Sequence, residues 1–145
     1  MAFKFQNILN YRKTVLDKKY LELSEARRKV VSLNLKIFDV QNSIESYKAD
    51  YPANILKVSD IYDYNSLDFK FKSLKSKLEE LLKDKESAER ELEAKKAAAV
   101  KAKMEHEKIN KLREKELAVD KMNALKHEEA IAADFSSNRY SQSQR

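Results

Sequence analysis

The near absence of turn-forming residues is the feature that most constrains this chain. Its 145 residues include no glycine and a single proline, Pro52, where average usage is about 7% Gly and 5% Pro. Ala, Glu, Lys, Leu and Arg together make up about half of the sequence, a share typical of long helices and coiled coils. We therefore expect a few long helices rather than a globular fold with many connections.

A heptad pattern of apolar residues runs through the first third of the sequence. Steps of four and three residues alternate without a slip, and every position on this stripe is apolar or aromatic except Arg12 and Lys19. The stripe consists of Phe5, Leu9, Arg12, Leu16, Lys19, Leu23, Ala26, Val30, Leu33, Ile37, Val40, Ile44, Tyr47 and Tyr51. This spacing predicts a helix over residues 3–51 with one coiled-coil seam.

A second helix is expected after a short connector. Pro52 disfavours a helical conformation at Tyr51 and has no N–H to continue the hydrogen-bond ladder, and Ser59 or Asp60 can cap a new helix. The second stripe consists of Tyr64, Leu67, Phe71, Leu74, Leu78, Leu81, Lys85, Ala88, Leu92, Lys95, Ala99 and Ala102. We predict a connector over 52–59, a helix over 60–135 and a disordered polar tail over 136–145.

These elements predict an all-α fold, a long antiparallel two-helix coiled-coil hairpin with a longer second helix, forming one domain over residues 1–135. Equal rise along both helices pairs the first helix with roughly residues 61–107. Beyond His106 the apolar residues no longer follow the seam, which predicts an unpaired helical segment of about 28 residues ending at Phe135. Such a helix is marginal in water unless its apolar residues find a partner.

The two cations in the first stripe, Arg12 and Lys19, have two interpretations. A polar residue in a seam can fix the register of the helices, and the small residues at Lys95–Ala102 would leave room for long side chains to reach water. Alternatively, this end of the hairpin meets another molecule. Apolar residues outside the seam, Phe3, Ile8, Tyr11 and Val15 near the amino end and Tyr62, Phe69 and Leu82 near the connector, also suggest contact sites.

Nothing in the sequence indicates catalysis or a cofactor. His106 and His127 lie 21 residues apart on one predicted helix, so they cannot bind one metal together. The stretch "HEEAI" has Ile131 where a zinc-protease motif needs a second histidine, and no glycine-rich phosphate loop is present. The chain has no cysteine and no apolar run long enough to cross a membrane. We expect a protein that is not an enzyme and binds no metal or cofactor.

The net charge of +6 is spread along the chain, and its longest basic run is Arg27–Lys29. Nucleic-acid-binding arms usually carry blocks of like charge, so no nucleic-acid partner is expected. Two alternative functions stay open. One is a structural or scaffolding coiled coil that dimerises through its own seam, and the weaker one is a basic helical arm on nucleic acid.

Two stretches of the sequence resemble the FliJ family of flagellar type III export proteins. "FKFQNILNYRK" is similar to that family's amino-terminal pattern of an aromatic pair, an aliphatic pair and an arginine. "INKLREKELAVDKMNALKHEEAIAADF" is similar to its closing helix, although the acidic pair expected before a small apolar residue has two candidate positions, Glu128 with Glu129 or the weaker Ala133 with Asp134. The resemblance extends over the whole chain in length, helix order and connector position.

The resemblance implies a cytoplasmic protein beneath the flagellar basal body, at the inner membrane. It implies a central stalk that enters a hexameric export ATPase, promotes its activity and couples it to a membrane export-gate protein and to export chaperones. The residues expected at the ATPase are Phe3, Phe5, Ile8, Tyr11, Arg12, Leu112, Arg113, Lys115 and Leu117. Those expected at the gate or a chaperone are Tyr62, Phe69 and Phe71.

Overall fold

The computed structural model describes residues 3–143, which form two long helices. Helix α1 spans Gln6–Leu56 and helix α2 spans Ile61–Ser143, and the described residues contain no strand. The two helices pack against each other. The prediction of an all-α helical hairpin with a longer second helix is confirmed.

The chain divides into two compact units. Asp17–Val100, which we call the connector unit, contains most of α1 and the first part of α2. The second unit, which we call the terminal unit, consists of Met1–Leu16 and Lys101–Arg145. It contains the start of α1 and the rest of α2.

In the connector unit the helices run antiparallel in one register. Tyr47 of α1 stacks on Phe71 of α2, and Lys29 pairs with Glu91. Glu22 lies beside Lys95. Because the partner's number rises as the number in α1 falls, the helices run in opposite directions.

The core of the connector unit is the predicted seam. The buried residues of α1 are Leu23, Ala26, Leu33, Ile37, Val40 and Ile44, and those of α2 are Ala88 and Ala99. All eight lie on the heptad stripes found in the sequence. The large side chains of the α2 stripe, such as Leu74 and Leu81, are only half-buried.

The start of α2 is capped by acidic side chains, as predicted. Asp60 Oδ1 accepts a hydrogen bond from the Asp63 N–H at 2.9 Å, which satisfies one of the free donors of the first turn. The Asp63 carboxylate reaches back and accepts hydrogen bonds from the Ser59 hydroxyl at 2.8 Å and the Ser59 N–H at 3.4 Å. This reciprocal arrangement fixes the point at which the chain turns into α2.

The predicted helix boundaries need correction around the connector. Helix α1 does not stop at residue 51 but continues through Pro52 to Leu56, so the connector is shorter than the predicted 52–59. A proline inside a helix removes one ladder hydrogen bond. Ile55, just beyond Pro52, is half-buried, and its packing favours continuation of the helix. At the other end, α1 begins at Gln6 rather than at residue 3, and the Gln6 N–H donates to the Phe3 carbonyl at 3.1 Å.

The predicted disordered tail also needs correction. Helix α2 does not end at residue 135 but continues to Ser143. The tail is polar, yet it contains no glycine or proline, so nothing in its backbone chemistry stops the helix. Residues 144 and 145 of the predicted tail lie outside the described residues.

The terminal unit has a paired part and an exposed part. Leu9 and Leu16 are buried, and half-buried residues of α2 extend as far as Glu116. Every residue of 117–143 is exposed. The exposed segment, residues 117–143, thus corresponds to the unpaired helix that the sequence predicted, shifted towards the carboxyl end.

Leu33 and Leu35 offer a matched test of the seam, because they are the same residue type on the same helix with exposed fractions of 8% and 62%. Leu33→Ala removes buried methyl groups and leaves a cavity, so we expect it to lower the free energy of unfolding by about 2 to 3 kcal/mol. Leu35→Ala should change it by less than about 0.5 kcal/mol. Urea unfolding followed by circular dichroism measures both, and equal effects would contradict the seam described here.

Candidate partner-binding surfaces

The amino end of the terminal unit carries an exposed aromatic and aliphatic surface. Phe3 and Phe5 meet edge to face with ring centroids 5.8 Å apart, and Lys4 Nζ lies 5.5 Å from the Phe5 ring centroid. Ile8 and Tyr11 project outward, with 43% and 63% of their surfaces exposed. Phe5, the first residue of the predicted seam, is itself exposed. Four of the predicted ATPase-contact residues therefore lie together, and three of them are accessible.

Arg12, the fifth predicted contact residue on α1, is engaged within the protein. Its Nη1 lies 2.5 Å from Glu105 Oε2, and both side chains are about one-third exposed. The pair joins α1 to α2, which supports the interpretation of Arg12 as a register residue. Its partner is Glu105 rather than a residue of the small-residue stretch Lys95–Ala102.

The predicted contact residues on α2 are all exposed. Leu112 and Leu117 have 45% and 51% of their surfaces exposed. Arg113 and Lys115 are exposed too, and neither is part of an ion pair within residues 3–143. The nine predicted residues thus lie in one unit, and two of the three cations among them are available to a partner.

The seam ends near the start of α1, and the α2 stripe becomes polar in the same region. The α2 stripe, continued at heptad spacing beyond Ile109, reads Arg113, Glu116, Asp120 and Asn123. Charged and amide side chains at these positions cannot form an apolar seam. Arg12 pairs with Glu105, so the start of α1 at Gln6 lies only about six residues further along α2, and residues 117–143 have no part of α1 beside them.

Leu117 is the one residue of the exposed segment that the sequence predicted as an ATPase contact. The structure leaves six large apolar side chains exposed there, each with between 47% and 64% of its surface accessible: Leu117, Val119, Met122, Leu125, Ile131 and Phe135. Arg139 lies over the Phe135 ring, 5.7 Å from its centroid. The sequence predicted that the apolar residues of this unpaired helix need a partner, but it named none beyond Leu117 as a contact residue.

In the connector unit the three predicted gate or chaperone residues separate into two groups. Phe71 stacks on Tyr47 with centroids 5.2 Å apart and an interplanar angle of 16°, and Lys75 Nζ lies 4.4 Å from the Phe71 ring centroid. Tyr62 and Phe69 are 78% and 72% exposed. Phe71 is therefore a packing residue, whereas Tyr62 and Phe69 are accessible.

The stacked pair is anchored by the hydroxyl of the half-buried Tyr47. The Tyr47 hydroxyl donates a hydrogen bond across the seam to the Leu67 carbonyl. Burial, reinforced by the nearby Tyr51, Asp68 and Tyr64, raises the pKa of the Tyr47 hydroxyl above its usual value. A tyrosine hydroxyl is protonated at neutral pH even at its ordinary pKa, so Tyr47 acts as the donor of this bond.

Shallow grooves flank the accessible Phe69. One is lined by Phe69 with Lys72, Ser73 and Ser76, among others, and another lies between Phe69 and the end of α1 around Asp50. The described residues contain no cluster of three or more potential metal ligands, and no helix among them is long and apolar enough to cross a membrane.

Glu22 is the centre of a charge cluster on the seam. Its Oε2 lies 3.5 Å from Lys19 Nζ on the same helix and 3.4 Å from Lys95 Nζ on the other. Partial burial by itself would raise the pKa of the Glu22 carboxyl, but the hydrogen bonds and charges of Lys95 and Lys19 outweigh it and lower that pKa. Lys19, the second cation of the α1 stripe, pairs within its own helix, so unlike Arg12 it does not join α1 to α2; the pair that does so here is Glu22 with Lys95.

Comparison with protein-family models, curated proteins and solved structures finds no match to this chain. The similarity to the FliJ family rests on the two sequence stretches quoted above.

The Glu22 cluster predicts a pH-dependent contribution to stability. A carboxyl with a lowered pKa in the folded state stabilises that state above its unfolded pKa of about 4.5, and the contribution is lost as the pH falls through the folded pKa. Glu22→Gln should therefore lower the unfolding midpoint at pH 7, and its difference from the unmodified protein should shrink below about pH 4.5. Denaturant titrations at pH 3 to 7 measure this.

Glu25→Gln is the matched control, because Glu25 is exposed and has no ion pair within the described residues. It should have little effect at either pH. A Glu22→Gln effect of the same size at pH 3 and pH 7 would contradict the assigned ion pairs.

Proposed function

We propose that this protein is a non-enzymatic part of the flagellar type III export apparatus. In this proposal it binds the hexameric export ATPase as a central stalk, promotes ATP hydrolysis and links the ATPase to the membrane export gate and to export chaperones. It would act in the cytoplasm, at the inner membrane beneath the basal body. The resemblance of the amino-terminal and carboxy-terminal stretches to the FliJ family supports this proposal.

The observation that carries the proposal is the terminal unit. Its paired part exposes Phe5, Ile8 and Tyr11, and its α2 continues as an exposed helix over residues 117–143. A stalk inside a ring needs a surface with both apolar and charged groups, because the subunits around it offer different contacts. Exposed apolar side chains on an unpaired helix also need a partner to offset their contact with water.

The contacts of this surface follow from its chemistry. Arg113 and Lys115 are free to pair with carboxylates of the ATPase, and Phe5, Ile8 and Leu117 can enter apolar sites. Arg12 would first have to leave Glu105, so its contribution to binding is expected to be smaller than that of Arg113. To promote hydrolysis, the surface must bind one conformation of the ring more tightly than the others.

The connector unit would supply the second contact. Tyr62 and Phe69 are accessible to the export gate or to a chaperone. Phe71 would act only indirectly, by holding Tyr47 and the α2 seam in place.

The proposal predicts that this protein stimulates the flagellar export ATPase of the same organism. Titration at fixed salt should raise the hydrolysis rate to a plateau near one chain per hexamer. No stimulation, together with a sedimentation mass that rises to that of a dimer with concentration, would instead favour the scaffolding alternative. Affinity for nucleic acid that falls steeply with salt would favour the other alternative.

Substitutions locate the contact. Phe5→Gln with Ile8→Gln removes apolar groups that are already exposed, so the fold should persist while half-maximal stimulation requires about ten times more protein or more. Leu82→Gln with Val100→Gln is the matched control, since these residues are 45% and 58% exposed in the connector unit. Deleting residues 2–10 should abolish stimulation and preserve most helicity. Unchanged stimulation after the deletion would contradict the assigned contact surface.

A further inference from the structure

One face of α2 in the terminal unit consists of lysines and exposed apolar side chains. At about 100° per residue, nine residues of the stretch 101–126 fall within an arc of about 100° around the helix. We call these nine residues the basic face: Lys101, Met104, Lys108, Lys111, Leu112, Lys115, Val119, Met122 and Lys126. All nine are exposed, and the basic face lies wholly within the terminal unit.

The basic face points away from α1. Over residues 101–116 the half-buried residues of α2 are Ala102, Glu105, His106, Ile109, Asn110 and Glu116. At about 100° per residue these six share the opposite side of the helix, towards the seam. The hairpin therefore leaves the basic face uncovered.

No carboxylate interrupts the basic face. The five carboxylates of residues 101–126 are Glu105, Glu107, Glu114, Glu116 and Asp120. At about 100° per residue all five fall outside the arc of the basic face. Glu105 lies next to one edge of the arc, and its carboxylate is already paired with Arg12. The five lysines of the basic face form no ion pair within the described residues.

The charge around the basic face has the same sign. On the flank that carries Glu107 and Glu114, the cations Lys103 and Lys121 balance them. The start of the chain, residues 3–16, contains three cations and no carboxylate. Together with the stretch of α2 that bears the basic face, it gives eleven cations against five carboxylates. The positive charge that is spread along the sequence is thus concentrated in one part of the folded chain.

This composition distinguishes between possible occupants. A second copy packed through the same face would bring two sets of unpaired lysines together, which is unfavourable. A partner helix would bury lysines in an apolar seam, because lysines and apolar residues are intermixed on the face. Nucleic acid would use the lysines alone and leave Met104, Leu112, Val119 and Met122, between 45% and 57% exposed, without a partner.

The surface of an anionic membrane suits both kinds of side chain. Lysine ammonium groups reach headgroup phosphates, while apolar side chains enter the boundary of the acyl chains. The basic face is about 38 Å long on one uninterrupted helix, which matches a flat surface. We propose that the basic face of α2 lies on an anionic lipid surface.

This inference does not depend on the proposed function. Leu112 and Lys115 also belong to the proposed ATPase contact, so one chain would not bind both surfaces through them at once. Vesicle binding is measured without the ATPase, so its failure would leave the test of ATPase stimulation unaffected.

Sedimentation with lipid vesicles tests the proposal on the full chain. At about 0.1 M salt, where charges are screened over about 10 Å, the chain should bind saturably to vesicles of equal parts phosphatidylglycerol and phosphatidylcholine. Binding to vesicles of phosphatidylcholine alone should be weaker by about tenfold or more, because these carry no net charge to attract lysine.

Variants of the chain connect that binding to the basic face. Lys108→Gln with Lys111→Gln should weaken binding to the anionic vesicles by about tenfold or more. The matched control is Lys77→Gln with Lys83→Gln, which removes the same charge from exposed, unpaired lysines of the same helix in the connector unit. The control should bind nearly as well as the unmodified chain. Thermal melts by circular dichroism establish that all variants are folded, as expected for substitutions at exposed positions.

A fluorescent probe reports contact with the lipid itself. The chain has no cysteine, so Val119→Cys and Asp120→Cys each accept one environment-sensitive fluorophore. The two positions lie about 100° apart around the helix, and only the first is on the basic face. On anionic vesicles the emission of the Val119→Cys probe should shift to the blue, and that of the Asp120→Cys probe should shift much less.

Three results would overturn the proposal. The first is a lack of saturable binding to the anionic vesicles, or equal binding to the two kinds of vesicle. If a DNA duplex then binds and Lys108→Gln with Lys111→Gln weakens that binding, the basic face belongs to nucleic acid. The second is an equal loss of vesicle binding in the control, since net charge would then be responsible. The third is an equal response of the two probes.

Discussion

A single apolar seam holds the two helices of this protein together, and the rest of the structure depends on it. In the connector unit, six side chains of α1 and two alanines of α2 are buried along it. Burying apolar surface stabilises the hairpin without fixing its alignment, because neighbouring heptads are nearly equivalent. The short connector between Leu56 and Ile61 limits that alignment, and the ion pairs of Lys29 with Glu91 and of Lys95 with Glu22 lie across the seam in the alignment observed.

The candidate binding surfaces are the apolar residues that the seam leaves exposed. In the terminal unit, the α2 stripe becomes polar after Ile109, and residues 117–143 are left without a neighbouring helix. In the connector unit, Tyr62 and Phe69 project outward, and α1 exposes Val31, Leu35 and Phe38. A two-helix fold has one internal interface, so every further apolar side chain is available to other molecules.

Heptad spacing predicted the seam well, since a residue's position in the repeat determines whether it faces the partner helix. It could not predict that α1 continues through Pro52, because the cost of one lost hydrogen bond must be weighed against packing beyond it. The sequence indicated that Phe71 lies on the seam, and only the structure showed that it stacks on Tyr47. The spacing of Val31, Leu35 and Phe38 is present in the sequence, but only the structure showed that these side chains are exposed beside the seam.

Intramolecular pairing of the helices is the claim on which this account rests, and a distance measurement tests it directly. The chain has no cysteine, so Lys29→Cys with Glu91→Cys accepts spin labels at those two sites alone. Replacing an exposed ion pair should cost little stability. Pulsed electron paramagnetic resonance should give one distance below about 20 Å, since packed helix axes lie about 8–10 Å apart, unchanged on dilution with unlabelled protein. A longer distance, or one lost on dilution, would contradict the account.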